Sequence, residues 1–308
     1  MFNNYIIETI GLTKKFGDRL GVDHLEMHVQ QGRIYGLLGR NGAGKTTTMR
    51  MMLNLTRPTN GTIRLFGEDY KKQPAQTYRK IGSIIETPGF YDNLTGFENL
   101  KILARLRGEH RKESISRALK LVDLDKETDK VFSNYSLGMK QRLGIAAAVM
   151  HEPELLILDE PINGLDPIGI HEIRKFLLSL CREQGTTILI SSHVLSEIEQ
   201  LADVVGVMHE GRLLEEVDIL ELRKRNRQYV AFSVSDVNTA ALLLERQFNT
   251  SDYVVCDDSM IRLYDNIDRR GEINSCFVAN GLLVTTITIS EEKLEEYFSG
   301  LIGGEGIG

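Results

Sequence analysis

The chain has few cysteines, no surplus of basic residues and no uninterrupted apolar run approaching ~18 residues. Without such a run, no segment is expected to span a bilayer. Cys181, Cys256 and Cys276 are odd in number and lack the spacing of a metal site, so reduced thiols in a cytosolic protein are expected. Residues 1–5 lack the basic segment and apolar core of a signal peptide. We therefore expect a soluble protein that reaches a membrane only through partners.

The charge balance also argues against one class of partner. The sequence has 37 Lys and Arg against 43 Asp and Glu, a formal net charge of −6. A protein that binds nucleic acid through a basic surface would have the opposite balance, so direct nucleic-acid binding is not expected. The 308 residues can form one large and one small domain, or two modest ones.

A glycine-rich stretch fits the pattern G-x-x-x-x-G-K-[ST], with an apolar strand before it and helical spacing after it. A helix N-terminus behind such a loop attracts phosphate, because its free N–H groups and its dipole point at the anion. Lys45 can reach the β- and γ-phosphates, and the Thr46 hydroxyl can ligate Mg²⁺. The sequence therefore predicts a nucleoside triphosphate site formed by Gly39, Arg40, Asn41, Gly42, Ala43, Gly44, Lys45, Thr46 and Thr47.

Two carboxylates follow a second apolar strand, residues 155–158. They are Asp159 and Glu160. In phosphate-loop NTPases the first acid at this place holds Mg²⁺, and a second can orient or deprotonate the attacking water. The ordinary alternative is a strand that ends in a charged turn. The phosphate loop upstream favours the catalytic interpretation.

The order of predicted elements indicates two domains. Strands alternate with helices, which predicts a mostly parallel sheet covered on both faces and the fold class α/β. Helices at about residues 86–150 interrupt this order and predict a helical subdomain inside a first domain of residues 1–222. Basic, polar residues 223–228 predict a linker. Residues 229–308 predict a small α+β domain that ends in a helix at 291–301 and a frayed glycine-rich segment.

Five motifs occur in one fixed order: the phosphate loop, Y-S-L-G-M-K-Q-R at 135–142, L-D-E-P at 158–161, N-G-L-D at 163–166 and S-S-H at 191–193. Over about residues 6–222, this set resembles the nucleotide-binding subunits of ABC transporters. The resemblance implies a P-loop NTPase core of the ABC ATPase type that hydrolyses ATP with Mg²⁺. A GTPase would need N-K-x-D, which the stretch at 163–166 does not match.

The resemblance also implies roles for individual residues. Phe16 resembles the aromatic residue that stacks on adenine, with an ordinary core phenylalanine as the alternative. Residues 39–47 would wrap the phosphates. Asp159 resembles the acid that holds Mg²⁺, Glu160 the general base, and His193 the histidine that contacts the γ-phosphate.

Ser136 and Gly138 resemble the signature loop, which in this family faces the phosphate of a partner subunit. The pattern departs from L-S-G-G-Q, with Leu137 for the first glycine and Met139 for the glutamine. Asp166 resembles the loop that carries information across the dimer. Because each ATP then needs two half-sites, the resemblance implies a head-to-tail homodimer that closes on ATP and opens after hydrolysis.

Glu86 is the clearest departure from the family pattern. Most members have a glutamine after the strand that corresponds to residues 81–85. A glutamate there is similar to transporters that protect Gram-positive bacteria from lantibiotics and bacitracin-like peptides. Because a carboxylate can accept from Mg²⁺-bound water, Glu86 is a candidate for the catalytic and the metal site. It also adds charge near Asp159 and Glu160. The alternative is a glutamate without functional meaning in an ordinary transporter.

The main hypothesis is an ATPase subunit that powers a separate permease for peptide antibiotics at the cytoplasmic face of the cell membrane. Helices of the permease would dock near residues 86–99. One alternative is the same motor for drugs, ions or lipids. Another is an ABC ATPase that acts on nucleic acid or ribosomes, which the single cassette and the acidic charge disfavour. The cargo, the transport direction and the role of the C-terminal domain stay open.

Overall fold

The computed structural model describes residues 4–86, 89–108, 112–225, 227–291, 297–298 and 301. The chain divides into two compact units, Met1–Ile219 with Ile307–Gly308, and Leu220–Gly306. No helix of the described residues is both long and apolar enough to cross a membrane. Each unit has its own sheet and its own buried core.

The first unit is an α/β structure. In chain order its elements are β1 (Tyr5–Phe16), β2 (Arg19–Gln30), β3 (Ile34–Leu38), α1 (Lys45–Met52), β4 (Asn60–Leu65), β5 (Glu68–Asp69), α2 (Pro74–Arg79), β6 (Ile81–Ile84), α3 (Gly96–Leu106), α4 (Lys112–Leu121), α5 (Leu137–Val149), β7 (Leu155–Asp159), α6 (Pro167–Gln184), β8 (Thr187–Ser192), α7 (Leu195–Glu199), β9 (Val204–His209) and β10 (Arg212–Asp218).

Two sheets form this unit. The antiparallel sheet has the order β2-β1-β4-β5, and the larger sheet has the order β10-β9-β3-β8-β7-β6. In the larger sheet, neighbouring strands from β9 to β6 pair in parallel, and β10 pairs antiparallel with β9. Every residue of β3, β7 and β8 is buried, as expected for strands covered on both faces. The predicted mostly parallel sheet is confirmed.

The parallel order fixes the position of the site. Strands β3, β8 and β7 are consecutive neighbours. Their carboxyl ends therefore meet at one edge of the sheet, where ligands of open α/β sheets bind. The glycine-rich loop follows β3, Asp159 ends β7, and His193 follows β8.

Helices α3, α4 and α5 occupy the predicted helical region. A capping box begins α3: the Glu98 carboxylate accepts from the Thr95 backbone N–H at 2.8 Å, and the Thr95 hydroxyl accepts from the Glu98 N–H at 3.3 Å. Helix α5 packs closely on β6. A Cβ added to Gly82 would lie 2.1 Å from the carbonyl oxygen of Ala148, so only glycine fits there.

Helix α8 (Ile219–Arg225) includes residues 223–225, which the sequence predicted as linker. Arginine, lysine and leucine are good helix formers, and the charge of arginine and lysine does not by itself interrupt a helix. The remaining elements are β11 (Gln228–Val234), α9 (Val237–Phe248), β12 (Tyr253–Val255), β13 (Met260–Leu263), α10 (Arg270–Ala279) and β14 (Val284–Glu291).

The second unit contains an antiparallel sheet in the order β12-β13-β11-β14, and its described residues include helices α9 and α10. Phe232 of β11 and Phe277 of α10 meet in its core with ring centroids 5.3 Å apart. Of the predicted last helix, Glu291 belongs to β14, and 297, 298 and 301 are helical. The rest of that helix, and the glycine-rich segment after it, lie outside the described residues.

Candidate functional site

The glycine-rich loop connects β3 to α1 at the carboxyl edge of the larger sheet. Gly44 precedes the helix with a left-handed φ of 108°, and a Cβ there would lie 2.6 Å from the Gly21 carbonyl oxygen. Both facts require glycine. The loop borders an open cavity of about 430 Å³. Its lining brings together predicted residues from three parts of the chain: Phe16, Asn41, Gly42, Gly44, Lys45, Thr46, Thr47 and Glu160.

Lys45 lies across its own loop with only 4% of its surface exposed. Its ammonium donates to the carbonyl oxygens of Gly39 at 2.5 Å and Arg40 at 3.2 Å, and it lies 3.4 Å from Glu160 Oε1. Burial lowers the pKa of Lys45, while the Glu160 carboxylate opposes that shift. The Lys45 ammonium is thus almost completely shielded from solvent, and two carbonyl oxygens and a carboxylate hold it beside the cavity.

Thr46 and Asp159 meet directly although 113 positions separate them. The Thr46 hydroxyl donates to Asp159 Oδ2 at 2.7 Å, and the Ser191 hydroxyl donates to Oδ1 at 2.6 Å. No cluster of three or more His, Cys, Asp or Glu in the described residues could hold a metal alone. A hydroxyl and a carboxylate that leave other positions to phosphate and water nevertheless suit Mg²⁺.

Glu160 occupies the middle of the site. Its Oε2 lies 3.2 Å from His193 Nδ1 and accepts from the Asn163 amide at 3.1 Å. Its backbone N–H donates to the Ser191 hydroxyl at 2.9 Å. The residue has a left-handed φ of 46°, which is unusual for a residue with a side chain and tends to occur at functional sites. Asn163 and Ser191 stand in the N-G-L-D and S-S-H motifs but were not predicted as site residues.

Phe16 is about half exposed, at 51%. The alternative of an ordinary core phenylalanine is therefore excluded. Its ring borders the cavity, and the Lys14 ammonium lies 5.0 Å from the ring centroid. An exposed aromatic face beside a phosphate loop provides a surface on which a base can stack.

Glu86 contacts a residue that the sequence did not single out. Its Oε1 lies 2.5 Å from Nη2 of Arg50 in α1, and its backbone has a left-handed φ of 64°. Among the described residues, no hydrogen bond or ion pair joins Glu86 to Asp159 or Glu160. The carboxylate is 64% exposed, so solvent reaches this ion pair.

Ser136, Gly138 and Asp166 lie at helix starts. The Ser136 hydroxyl accepts from the Met139 N–H at 3.3 Å and caps α5, and Asp166 caps α6 by accepting from the Gly169 N–H at 3.1 Å. Gly138 lies in the first turn of α5. As far as the described residues define the cavity, its lining includes none of the three.

Comparisons with known proteins agree on one family. The family model "ABC transporter" matches residues 22–163. The bacitracin transport ATP-binding protein BcrA of Enterococcus faecalis is 64% identical over 307 residues, covering 100% of this chain and 99% of that protein. BcrA of Bacillus licheniformis is 55% identical, covering 98% and 99%.

Two further similarities are more distant. The lantibiotic transport ATP-binding protein SrtF of Streptococcus pyogenes is 43% identical, covering 67% of this chain and 87% of that protein. A solved structure of an ATP-binding subunit of an ABC transporter superposes with a TM-score of 0.64 at 30% identity, covering 71% of this chain and 92% of that one. These similarities agree with the motif order and with the observed sheet.

Proposed function

This chain belongs to the ATP-binding subunits of ABC transporters, and from that premise we propose that it powers transport of bacitracin-type peptide antibiotics through a separate permease. One observation carries the choice of cargo: the similarity to the two bacitracin transport ATP-binding proteins extends through both units of the chain. The similarity to the lantibiotic transport protein covers only part of it. As a subunit of such a transporter, it would lie at the cytoplasmic face of the membrane, held there by the permease.

We propose that ATP binds in the cavity at the glycine-rich loop. Phe16 would stack on adenine, and residues 39–47 would surround the phosphates with their N–H groups. Lys45 now bonds the carbonyl oxygens of Gly39 and Arg40, and its flexible stem lets the ammonium turn to the β- and γ-phosphates. The triphosphate would then replace Glu160 as its principal counter-charge.

Thr46 and Asp159 would hold Mg²⁺, which neutralises charge on the phosphate oxygens when it is bound. Glu160 would take the proton of the attacking water as general base. Its placement supports that role, because His193 and Asn163 both hold Oε2. His193 would also contact the γ-phosphate, so that it links the base to the phosphate under attack.

We propose that a second copy completes each site. Ser136 and Gly138 begin the 13-residue helix α5, whose N-terminal N–H groups can receive a phosphate, and they lie away from the chain's own cavity lining. A head-to-tail homodimer would bring them, and Asp166, to the ATP of the partner. The permease would dock near residues 86–99, where Tyr91 is 60% exposed; residues 87–88 of that segment lie outside the described residues.

Glu86 is proposed to act near the Mg²⁺ end of the site, as the glutamine does in most of the family. Its ion pair with Arg50 balances the additional negative charge that a glutamate brings in place of a glutamine. For Glu86 to accept from a Mg²⁺-bound water, that pair must rearrange. Because both side chains are well exposed, the pair is worth only about 0–1 kcal/mol and can open at little cost.

The experiment that tests this function measures the susceptibility of a deletion strain to bacitracin, lantibiotics and unrelated drugs. The strain is complemented with the wild-type chain, with Glu160→Gln or with Glu86→Gln. We expect selective sensitivity to bacitracin that the wild type rescues and Glu160→Gln does not. Unchanged peptide sensitivity, or sensitivity confined to unrelated drugs, would contradict the proposed cargo. Full rescue by Glu86→Gln would show that the glutamate has no particular role.

A further inference from the structure

The turn between β9 and β10 packs directly behind the glycine-rich loop. The N–H of Gly211 in this turn donates to the carbonyl oxygen of Ala43 at 2.9 Å. Ala43 is buried and stands immediately before Gly44, which begins α1. The position of the turn therefore constrains the part of the loop whose N–H groups would face the phosphates.

The same turn is tied to the start of β2. The Asp23 N–H donates to the Gly211 carbonyl oxygen at 2.8 Å, so both the N–H and the carbonyl of Gly211 are hydrogen-bonded. Glu210 and Gly211 have left-handed φ values of 45° and 84°, which define a tight turn. Neither residue can relax far without breaking the hydrogen bond to Ala43.

An ion pair between Arg212 and Asp23 reinforces the attachment of the turn to β2. Arg212 donates to Asp23 Oδ2 from Nε at 2.7 Å and from Nη2 at 2.6 Å, and His24 Nδ1 lies 2.6 Å from Oδ1. Only 9% of the Asp23 side chain is exposed. Hydrogen bonds to His24 and Arg212 hold the pKa of Asp23 below its usual value. The carboxylate stays charged and keeps β10 attached to β2 at this point.

We propose that Asp23 and Arg212 are positioning residues for ATP binding. Their ion pair holds the β9–β10 turn in place, and the hydrogen bond from Gly211 to Ala43 then fixes the glycine-rich loop. As far as the described residues define the ATP cavity, neither side chain lines it. They act through the backbone of Gly211. A preformed loop binds phosphate with less loss of conformational freedom, so loosening it weakens binding before it affects the chemical step.

The chain offers a matched control at the opposite end of β10. Arg33 pairs with Asp218 at 2.9 Å through side chains that are 40% and 26% exposed. Like the Asp23–Arg212 pair, this one joins β10 to another part of the first unit. Among the described residues, no hydrogen bond or ion pair joins the Arg33 side chain to the turn at Gly211. Arg33→Gln therefore removes a comparable ion pair without loosening the glycine-rich loop.

The test compares Arg212→Gln, Arg212→Lys and Arg33→Gln in the purified full-length chain. The readouts are the Kd for ATP, kcat, KM and the thermal midpoint. For Arg212→Gln we expect Kd and KM to rise about three- to tenfold with kcat within about twofold of wild type. Arg212→Lys should restore part of the affinity because it keeps the charge. Arg33→Gln should leave Kd and KM unchanged.

Two results would overturn the proposal. One is an unchanged Kd for ATP in Arg212→Gln, whatever happens to its thermal midpoint. The other is an equal increase in Kd for Arg33→Gln, which would mean that any ion pair on β10 has this effect. If Arg212→Gln does not fold, the same comparison is made with Asp23→Asn, which removes the ion pair from the other side, and an unchanged Kd in that variant would equally contradict the proposal.

Discussion

Glu160→Gln should separate ATP binding from ATP hydrolysis. The amide has nearly the same shape as the carboxylate, so the left-handed turn at residue 160 and the packing around it are retained. What disappears is the negative charge and the ability to accept a proton. Loss of a general base typically costs about 100- to 10,000-fold in rate, or about 3–5 kcal/mol in activation free energy.

Binding should respond in the opposite direction. In the wild type, the Glu160 carboxylate lies 3.4 Å from the buried Lys45 ammonium and competes with the phosphates for it. Removing that carboxylate also removes a negative charge from the wall of the cavity where the triphosphate binds. We therefore expect the Kd for ATP to stay equal or to decrease, while kcat falls by at least about 100-fold.

The assay pairs phosphate release at saturating Mg²⁺ and ATP with a direct titration of ATP. Glu154→Gln is the matched control, since Glu154 immediately precedes β7, the strand that leads to Glu160, and pairs at the surface with Lys80 at 3.1 Å. The control should hydrolyse ATP like the wild type. Hydrolysis by Glu160→Gln above about a tenth of the wild-type rate would refute the role of Glu160 as general base.

Two further predictions concern the base and the fold. Phe16→Ala should raise the Kd for ATP about 5- to 150-fold, since stacking of a base on an aromatic side chain is worth about 1–3 kcal/mol; its thermal midpoint should stay unchanged because Phe16 is half exposed. An unchanged Kd would contradict stacking. Gly82→Ala should lower the free energy of unfolding by about 1–3 kcal/mol, because its Cβ would collide with the backbone at Ala148. Chemical denaturation beside Gly89→Ala, which meets nothing within 4 Å, tests this, and equal stability of the two variants would contradict it.

Local pattern was sufficient to predict the α/β core and to nominate most residues of the candidate site. The glycine-rich loop and Asp159–Glu160 each follow an apolar strand. Since the carboxyl ends of neighbouring parallel strands share an edge, the residues beyond them come close together. Family resemblance added Phe16, and its exposed ring beside the cavity is compatible with that suggestion.

Contacts between distant segments could not be predicted in this way. The pairing of Glu86 with Arg50 depends on a left-handed residue that turns the chain after β6 toward α1. Asp23 and Arg212 meet across 189 positions, because β2 of one sheet lies against β10 of the other, and no local pattern specifies that packing. Residues 223–225 lie at the charged end of α8, and their charge density alone does not reveal this helix because helix propensity decides it.

The close contact between Gly82 and Ala148 joins the C-terminal end of α5 directly to β6. With 13 residues, the helix is about 20 Å long. One end rests on β6, the strand that leads to Glu86, and the other begins at Ser136. Because the backbone of β6 approaches the backbone of α5 directly at Gly82, we expect a displacement of β6 to move the whole helix with it. Helix α5 would therefore couple the segment proposed to face the permease, residues 86–99, to Ser136, the serine proposed to face the ATP of the partner.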